Sequence, residues 1–241
     1  MRHAAITGWG MSVPERVLTN ADLERMVDTS DEWIVSRTGI RERRVVGPND
    51  STTSLAVAAG RQALARAGLT ADEVDLIIVA TCTPDQFLVS EACLVQGELG
   101  GRAGAFDLGA ACAGFVYALS VGSAMIGAGV HQRVLLIGVD TLTRFVDYTD
   151  RSTCILFGDG AGAVVLEATD EPPLGRLLAD DHRSGALRAG RSQLLGSRCE
   201  PLGCFRAHAR AGRWLFRSTE HGHGLHRVHK TGCGFHDRCR V

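Results

Sequence analysis

The first 172 residues predict an α/β fold, a mixed or mostly parallel sheet flanked by helices, and three observations carry that expectation. Two near-continuous apolar runs, 74–81 (VDLIIVAT) and 133–140 (RVLLIGVD), have the composition of strands covered on both faces. Around them lie segments with the 3.6-residue spacing of helices, above all the Ala-rich stretch 54–67. Strand-like and helix-like segments alternate throughout, as they do where helices cover a largely parallel sheet.

Taken in order, residues 4–10 read as a short strand. Residues 20–27 and 31–37 read as helices opened by the capping residues Thr19 and Ser30. The Ala-rich helix 54–67 stops at Gly68, a residue suited to the left-handed turn that ends helices. Residues 90–99 read as a helix, 103–109 as a strand, and 112–128 as a long helix apolar all round. The last segment, 155–167, is a glycine-rich turn feeding a strand. Its Gly158, Gly160 and Gly162 open no helix and precede no Lys-Ser/Thr pair, so a tight strand turn explains them better than a phosphate loop.

The uncharged stretch 108–130 has the length of a membrane span. Its glycines, together with Cys112, Ser120 and Ser123, fit a helix buried between layers of a soluble protein better. Residues 1–11 contain no sustained apolar run of the secretory kind. With eight Cys and no export signal, the expectation is reduced thiols in the cytoplasm.

Composition divides the chain into 1–172 and 173–241. The first part holds 13 Arg, no Lys and 22 acidic residues, a net −9; the second holds 12 Arg, Lys230 and 5 acidic residues, a net +8. Ile and Val occur 27 times before the break and twice after it, at Val228 and Val241. A segment so poor in β-branched apolar residues has little to build buried strands from. The second part therefore reads as a basic, irregular tail, out of frame or disordered. Its Cys199, Cys204, His208, Cys233, His236 and Cys239 have spacings too loose for zinc fingers or ribbons, so no metal is expected. Its charge alone could hold an acidic protein or nucleic acid, but without interleaved aromatics nucleic acid is disfavoured.

The chemistry concentrates in 106–119, FDLGAACAGFVYAL. A strand ends, the chain turns through small residues, and an apolar helix begins with Cys112 in its first turn. Helix N-termini offer unpaired N–H groups and partial positive charge, which favour a thiolate placed there. By position alone, a cysteine among Ala and Gly also fits a small buried hydrophobe. The run AACAGF with its preceding Phe-Asp, however, resembles the active-site signature of β-ketoacyl-ACP synthase III. The segments 19–43 (TNADLERMVDTSDEWIVSRTGIRER) and 149–162 (TDRSTCILFGDGAG) resemble the same family in collinear order.

The resemblance implies a thiolase-like layered αβαβα fold of which 1–172 is the N-terminal half. It implies an acyltransferase that needs no cofactor, with acyl-CoA and malonyl-ACP as substrates, acyl carrier protein as partner, and a homodimer. Cys112 then matches the acyl-carrying nucleophile. Trp33 and Arg151 match a pair that sandwiches the CoA adenine, Arg37 a residue on the CoA phosphates, and Thr29 one near the adenine. Without the family, Trp33 and Arg37 would read as a helix surface. Leu88 falls where the family often has Phe, in a lid reaching the partner subunit's acyl pocket. Val89 replaces a usual Pro there, which leaves the lid's shape and acyl preference open.

The family's decarboxylation step uses a His, within His-Gln-Ala-Asn, and an Asn as paired donors to the thioester oxygen. Nothing in 173–241 resembles that motif, and the chain's asparagines are Asn20 and Asn49. The pair His131-Gln132 is followed by Arg133 and sits in a loop of the first part. The expectation is impaired condensation. The competing reading is a non-catalytic module, either for dimerisation or for basic binding of ACP or nucleic acid.

Overall fold

The computed structural model describes residues 2–170 and the backbone of two short segments, 206–210 and 213–217. The chain divides into two compact units, Met1–Leu177 and Leu178–Val241, each described by itself. The first runs β1 (His3–Ser12), β2 (Val17–Thr19), α1 (Asn20–Glu24), α2 (Asp31–Thr38), β3 (Glu42–Arg44) and α3 (Thr52–Ala67). It continues with β4 (Leu76–Ala80), α4 (Glu91–Leu99), β5 (Gly104–Leu108), α5 (Gly114–Gly127), β6 (Arg133–Thr141) and β7 (Asp159–Thr169). The second unit contains β8 (Arg206–Arg210) and β9 (Arg213–Arg217).

Five strands form one mixed sheet in the order β1-β7-β6-β4-β5. The inner strand β4 is parallel to both β5 and β6, while β7 is antiparallel to β6 and β1. Every residue of β4 is buried, as its unbroken apolar run requires. Ile77 and Val79 join Leu135, Ile137 and Val139 beneath α3 and α4, in a core shared with Leu55, Ala59 and Val95. Leu76 and Ile78 point the other way, with Val134 and Leu136, into a core shared with Ala118 and Ile126 of α5. The result is a helix–sheet–helix sandwich.

Helix α3 lies directly on β1 because two glycines allow it. A Cβ on Gly8 would stand 2.1 Å from the Ala63 carbonyl oxygen, and one on Gly10 2.1 Å from that of Ala59. Gly68 closes the helix as its sequence predicts, at φ 71°, and at the other end Ser51 accepts from the Ser54 N–H. Thr19 and Ser30 likewise accept from backbone N–H groups at the starts of α1 and α2.

Four features depart from the sequence-based expectation. Helix α1 stops at Glu24, well short of residue 27. Strands β2 and β3 pair antiparallel, a ladder too short and too charged (VLT against ERR) to show as a hydrophobic pattern. Helix α5 begins at Gly114, after a 3₁₀ turn over Ala111–Ala113 that holds Cys112. Nor is α5 buried all round: Val116 and Tyr117 are 51% and 56% exposed. One sheet covers one side of this helix, and its other side is open among the described residues. None of the described helices is long and apolar enough to cross a membrane.

In the second unit, β8 and β9 pair antiparallel in register from Arg206–Arg217 to Arg210–Arg213. The tail composition predicts no strand there. The run RWLFR nevertheless places Trp214, Leu215 and Phe216 together, and aromatic residues favour strands. Of the positions considered for zinc, His208 lies on β8, and Cys199, Cys204, Cys233, His236 and Cys239 lie outside the described residues.

The glycine contacts set a differential test. Gly10→Ala forces a methyl against the α3 backbone and should destabilise the protein by about 3 kcal/mol, the upper range for overpacking. Gly97→Ala, on α4 with nothing within 4 Å of the new methyl, should stabilise it by about 1 kcal/mol. Denaturant unfolding of both variants checks this. Equal effects would show that α3 does not rest on β1 as described.

Candidate active site

The three parallel strands β5, β4 and β6 end at one edge of the sheet, and Cys112 sits at that edge. After Leu108 the chain passes Gly109 and Ala110, makes the 3₁₀ turn and enters α5. Ala111 has φ 45°, and it is the one non-glycine residue with positive φ among those described. Such a conformation costs an L-residue roughly 1–2 kcal/mol. Gly114 suits the crowding that follows, since a Cβ there would come 3.2 Å from the Ala80 Cβ. The cysteine is exposed, and the positive end of the α5 dipole lies beside it. An open cleft of about 400 Å³ borders it, walled by Phe115 and Asp140 and floored by Gly138, Gly160 and Gly162. Gly160 and Gly162 therefore belong to a strand that keeps the cleft open, not to a phosphate loop.

Asp140 is a cleft residue that the sequence reading did not single out. Its Oδ1 accepts from the Cys82 N–H at 2.8 Å and from the Thr83 and Thr81 hydroxyls at 3.1 and 3.2 Å. It thereby fixes the chain leaving β4 against the end of β6. The signal that could have found it is topological: ligand sites of α/β sheets lie outside the carboxyl ends of the strands. Cys154, by contrast, is buried, and burial followed by the nearby Asp150 carboxylate pushes its thiol pKa up.

A second constellation centres on Trp33 of α2. The guanidinium carbons of Arg37 and Arg151 each lie 4.6 Å from its ring centroid, within cation–π range. Arg151 also donates to the Asp28 carbonyl at 2.9 Å. Next to Asp28, Thr29 has the one buried side-chain oxygen among the described residues without a hydrogen-bond partner. Three of the four residues expected at the CoA end thus meet in space. The fourth brings an unsatisfied hydroxyl in the segment leading into α2.

Leu88 is 91% exposed and Phe87 97%, on a loop whose two roots are tightly held. At one root Asp85 accepts from the Thr53 N–H (2.8 Å), the Thr53 hydroxyl (2.7 Å), the Thr52 N–H (3.1 Å) and Arg144 (2.8 Å). At the other, Asp107 accepts from the Glu91 and Ala92 N–H groups, both at 2.7 Å. Glu91, fully buried, ties the roots together: it accepts from the Asp85 N–H (2.7 Å), and its carboxyl lies 2.6 Å from the Thr53 hydroxyl oxygen. Burial alone would raise the Asp85 pKa, but its four donors outweigh that and hold it well below the carboxylate range. Burial pushes Glu91 up, and the neighbouring Asp85 and Asp107 carboxylates add to this against the bonds from Thr53 and Asp85.

His131 is placed just before β6, at the sheet edge opposite Cys112. Asn20 is buried and bonded to Asp31 and Ile40. Neither residue borders the cleft. Of the tail histidines, His208 lies on β8 and the others lie outside the described residues.

The Glu91 environment sets a pH test. Its folded pKa lies above the ordinary 4.5, so folding takes up a proton between those two values. The cost of burying its charge applies above the folded value and fades as pH falls toward 4.5. Relative to Glu91→Gln, the wild type should therefore gain stability as the pH is lowered from about 7 into that window. Thermal melts of both across this range check it; a pH-independent difference would contradict it.

With this geometry in view, comparison with known proteins gives consistent relatives. The family model described as 3-oxoacyl-[acyl-carrier-protein (ACP)] synthase III matches residues 106–182. β-Ketoacyl-[acyl-carrier-protein] synthase III from Roseiflexus castenholzii is 62% identical over 170 residues, 70% of this chain and 52% of the relative. That from Xanthomonas campestris is 56% identical over the same length and shares. The crystal structure of the Aquifex aeolicus 3-oxoacyl-[acyl-carrier-protein] synthase III superposes with a TM-score of 0.69 at 50% identity, over 70% of this chain and 55% of that one. The priming β-ketosynthase of the R1128 polyketide pathway gives 0.70 at 39% identity, over 72% and 52%. The chain thus spans about half the length of the curated relatives it matches. Over its first 170 or so residues the chain is similar to β-ketoacyl-ACP synthase III proteins and shares the thiolase-like α/β fold of their solved structures.

Proposed function

We propose that this chain is an acyltransferase of the β-ketoacyl-ACP synthase III type, with Cys112 as the residue that carries the acyl group. The observation that supports this most is the exposed Cys112 at the start of α5, on an open cleft at the carboxyl edge of the parallel strands. In this reading the Cys112 thiolate attacks the acyl-CoA carbonyl, a new C–S bond forms, and the CoA thiolate leaves and takes up a proton. Malonyl-ACP then loses CO₂, its carbanion attacks the acyl-Cys112 carbonyl, and the Cys112 thiolate is released. No cofactor enters either step. A cytoplasmic location is proposed with it.

Trp33, Arg37, Arg151 and Thr29 are proposed to hold the CoA nucleotide. The indole and the two guanidiniums supply stacking surface and positive charge, and the unpartnered Thr29 hydroxyl supplies a free hydrogen-bonding group. An adenine inserted between two planes needs them roughly 7 Å apart, twice an ordinary contact of ~3.5 Å. Arg151 at 4.6 Å must therefore swing away from Trp33 to admit it. Leu88, with exposed Phe87 beside it, is proposed to contact a second subunit in a homodimer, which supplies cover for a loop tip that has none here.

The described residues favour the acyl-loading step over condensation. Charge developing on the thioester oxygen during decarboxylation calls for positioned donors, and the lining of the Cys112 cleft includes neither His nor Asn. The residues 173–241 are proposed as a separate basic segment without a part in this chemistry.

Incubation with acetyl-CoA followed by peptide mass spectrometry should place a single acetyl group on Cys112, and Cys112→Ala should abolish it. Acetylation of Cys82 or Cys93 with Cys112 unmodified would overturn the assignment. Condensation with malonyl-ACP should run at least about 10²-fold slower than in a full-length relative, the usual effect of losing an oxyanion donor. A rate within tenfold of that relative would show that the chain carries donors not identified above.

A further inference from the structure

The Trp33 platform is assembled from two separate pieces of chain, and a buried arginine joins them. Trp33 and Arg37 ride on α2, whereas Arg151 belongs to a turn more than a hundred residues away. That turn is locally rigid: the Cys154 N–H donates to the Asp150 carbonyl at 3.0 Å, and Asp150 also accepts from the Ser152 and Thr153 hydroxyls. Arg43 of β3 is only 3% exposed and makes no ion pair among the described residues. Its Nε and Nη2 both donate to the Ile155 carbonyl in the Arg151 turn, and its Nη1 donates to Asn20 Oδ1. Asn20, itself buried, passes the connection on: its Nδ2 donates to Asp31 Oδ1 at 2.6 Å and to the Ile40 carbonyl at 2.9 Å.

Asp31 is the first residue of α2, and Ile40 lies just beyond its end. One guanidinium and one amide therefore grip the helix at both ends and lock it to the turn that carries Arg151. No carboxylate contacts Arg43 directly; Asp31 is linked to it only through the Asn20 amide. Burying a guanidinium among carbonyls is costly, since it gives up hydration without a carboxylate in contact. A hydrophobic side chain would fill the same space among Leu18, Leu23, Ile34 and Ile155 more cheaply. What the arginine adds is direction: three donors in a fixed plane define both distance and angle between the two pieces.

We propose that Arg43, acting through Asn20, is a positioning residue that sets the geometry of Trp33 and Arg151 toward the nucleotide end of an acyl-CoA. The proposal rests on the reading of Trp33 and Arg151 as the adenine-binding pair. Its signature is an effect confined to substrates that carry the nucleotide. Cys112 acylation is measured with acetyl-CoA and with S-acetylpantetheine, which has the same thioester and no nucleotide, and the ratio of the two rates is the readout. The wild type prefers acetyl-CoA. Arg43→Met and Asn20→Ala, in samples with native circular dichroism, should lower that preference about tenfold, as expected when a positioned group slips by a fraction of an ångström. Arg43→Lys, which keeps the charge but cannot reach Ile155 and Asn20 together, should fall between. An unchanged ratio in these variants, or an equal loss with both substrates, overturns the positioning role. Trp33→Ala separates the two ideas. If it too leaves the ratio unchanged, or if the wild type shows no preference, the adenine reading fails and the role of Arg43 falls with it. If Arg43→Met does not fold, Arg43→Lys and Asn20→Ala decide the matter by the same ratio.

Discussion

Strand β5 must become helix α5 within five residues while staying pressed against β4, and much of the site follows from that requirement. The turn is tight enough to put Ala111 into a left-handed conformation and to crowd position 114, where a Cβ would come 3.2 Å from that of Ala80. Backbone strain of about 1–3 kcal/mol persists only where the surroundings dictate it. Here α5 is held down by Ala118 and Ile126 against Ile78, Val134 and Leu136. The same turn lifts Cys112 out of the core and leaves its sulfur exposed beside the helix dipole.

The remainder of the proposed ligand path is built on a different support. The sheet edge carries Cys112 and Asp140, whereas Trp33, Arg37 and Arg151 stand on a small subassembly with its own core of Leu18, Leu23, Ile34, Val45, Cys154 and Ile155. Hydrogen bonds tie this subassembly to the main sheet: the Val46 N–H donates to Asp159 at 2.7 Å, and Asp159 in turn accepts from the Thr143 N–H at 2.9 Å. Buried polar groups of this kind are worth their desolvation when every member is satisfied, because they fix one arrangement among several of similar packing energy. Function is divided accordingly. Apolar layers give the sheet its stability, and buried polar connections give the site its geometry.

Much of this was legible in the residues. VDLIIVAT and RVLLIGVD announced the buried inner strands because both of their faces are covered, and Thr19, Ser30 and Gly68 marked helix ends through capping chemistry. The small neighbours of Cys112 fit a buried hydrophobe as well as a nucleophile, and it was the resemblance of AACAGF to a family signature that singled it out. The start of α5 was misplaced by two residues because Ala110–Ala113 offers no capping side chain, so nothing in the sequence separates the 3₁₀ turn from the helix. Glu91 has the sequence context of an ordinary acidic residue of a first helical turn, and its burial is matched by Thr53, far away in sequence, and by the nearby Asp85 N–H. Arg43 was hidden within the charged run Arg41–Arg44, where only the fold decides which guanidinium turns inward. The hairpin at 206–217 lay in a segment whose composition gave no expectation of strands.

The central claim is that the Trp33 platform and Cys112 serve the two ends of one ligand, although separate parts of the chain build them. Alkylation by iodoacetamide in the presence and absence of CoA tests it directly, because Cys82, Cys93 and Cys112 are all exposed and can be followed in one sample. The account predicts that CoA slows alkylation of Cys112 while Cys82 and Cys93 react at unchanged rates, and that Trp33→Ala removes this protection. Alkylation of Cys112 at the same rate with saturating CoA, or equal slowing at all three thiols, would contradict it.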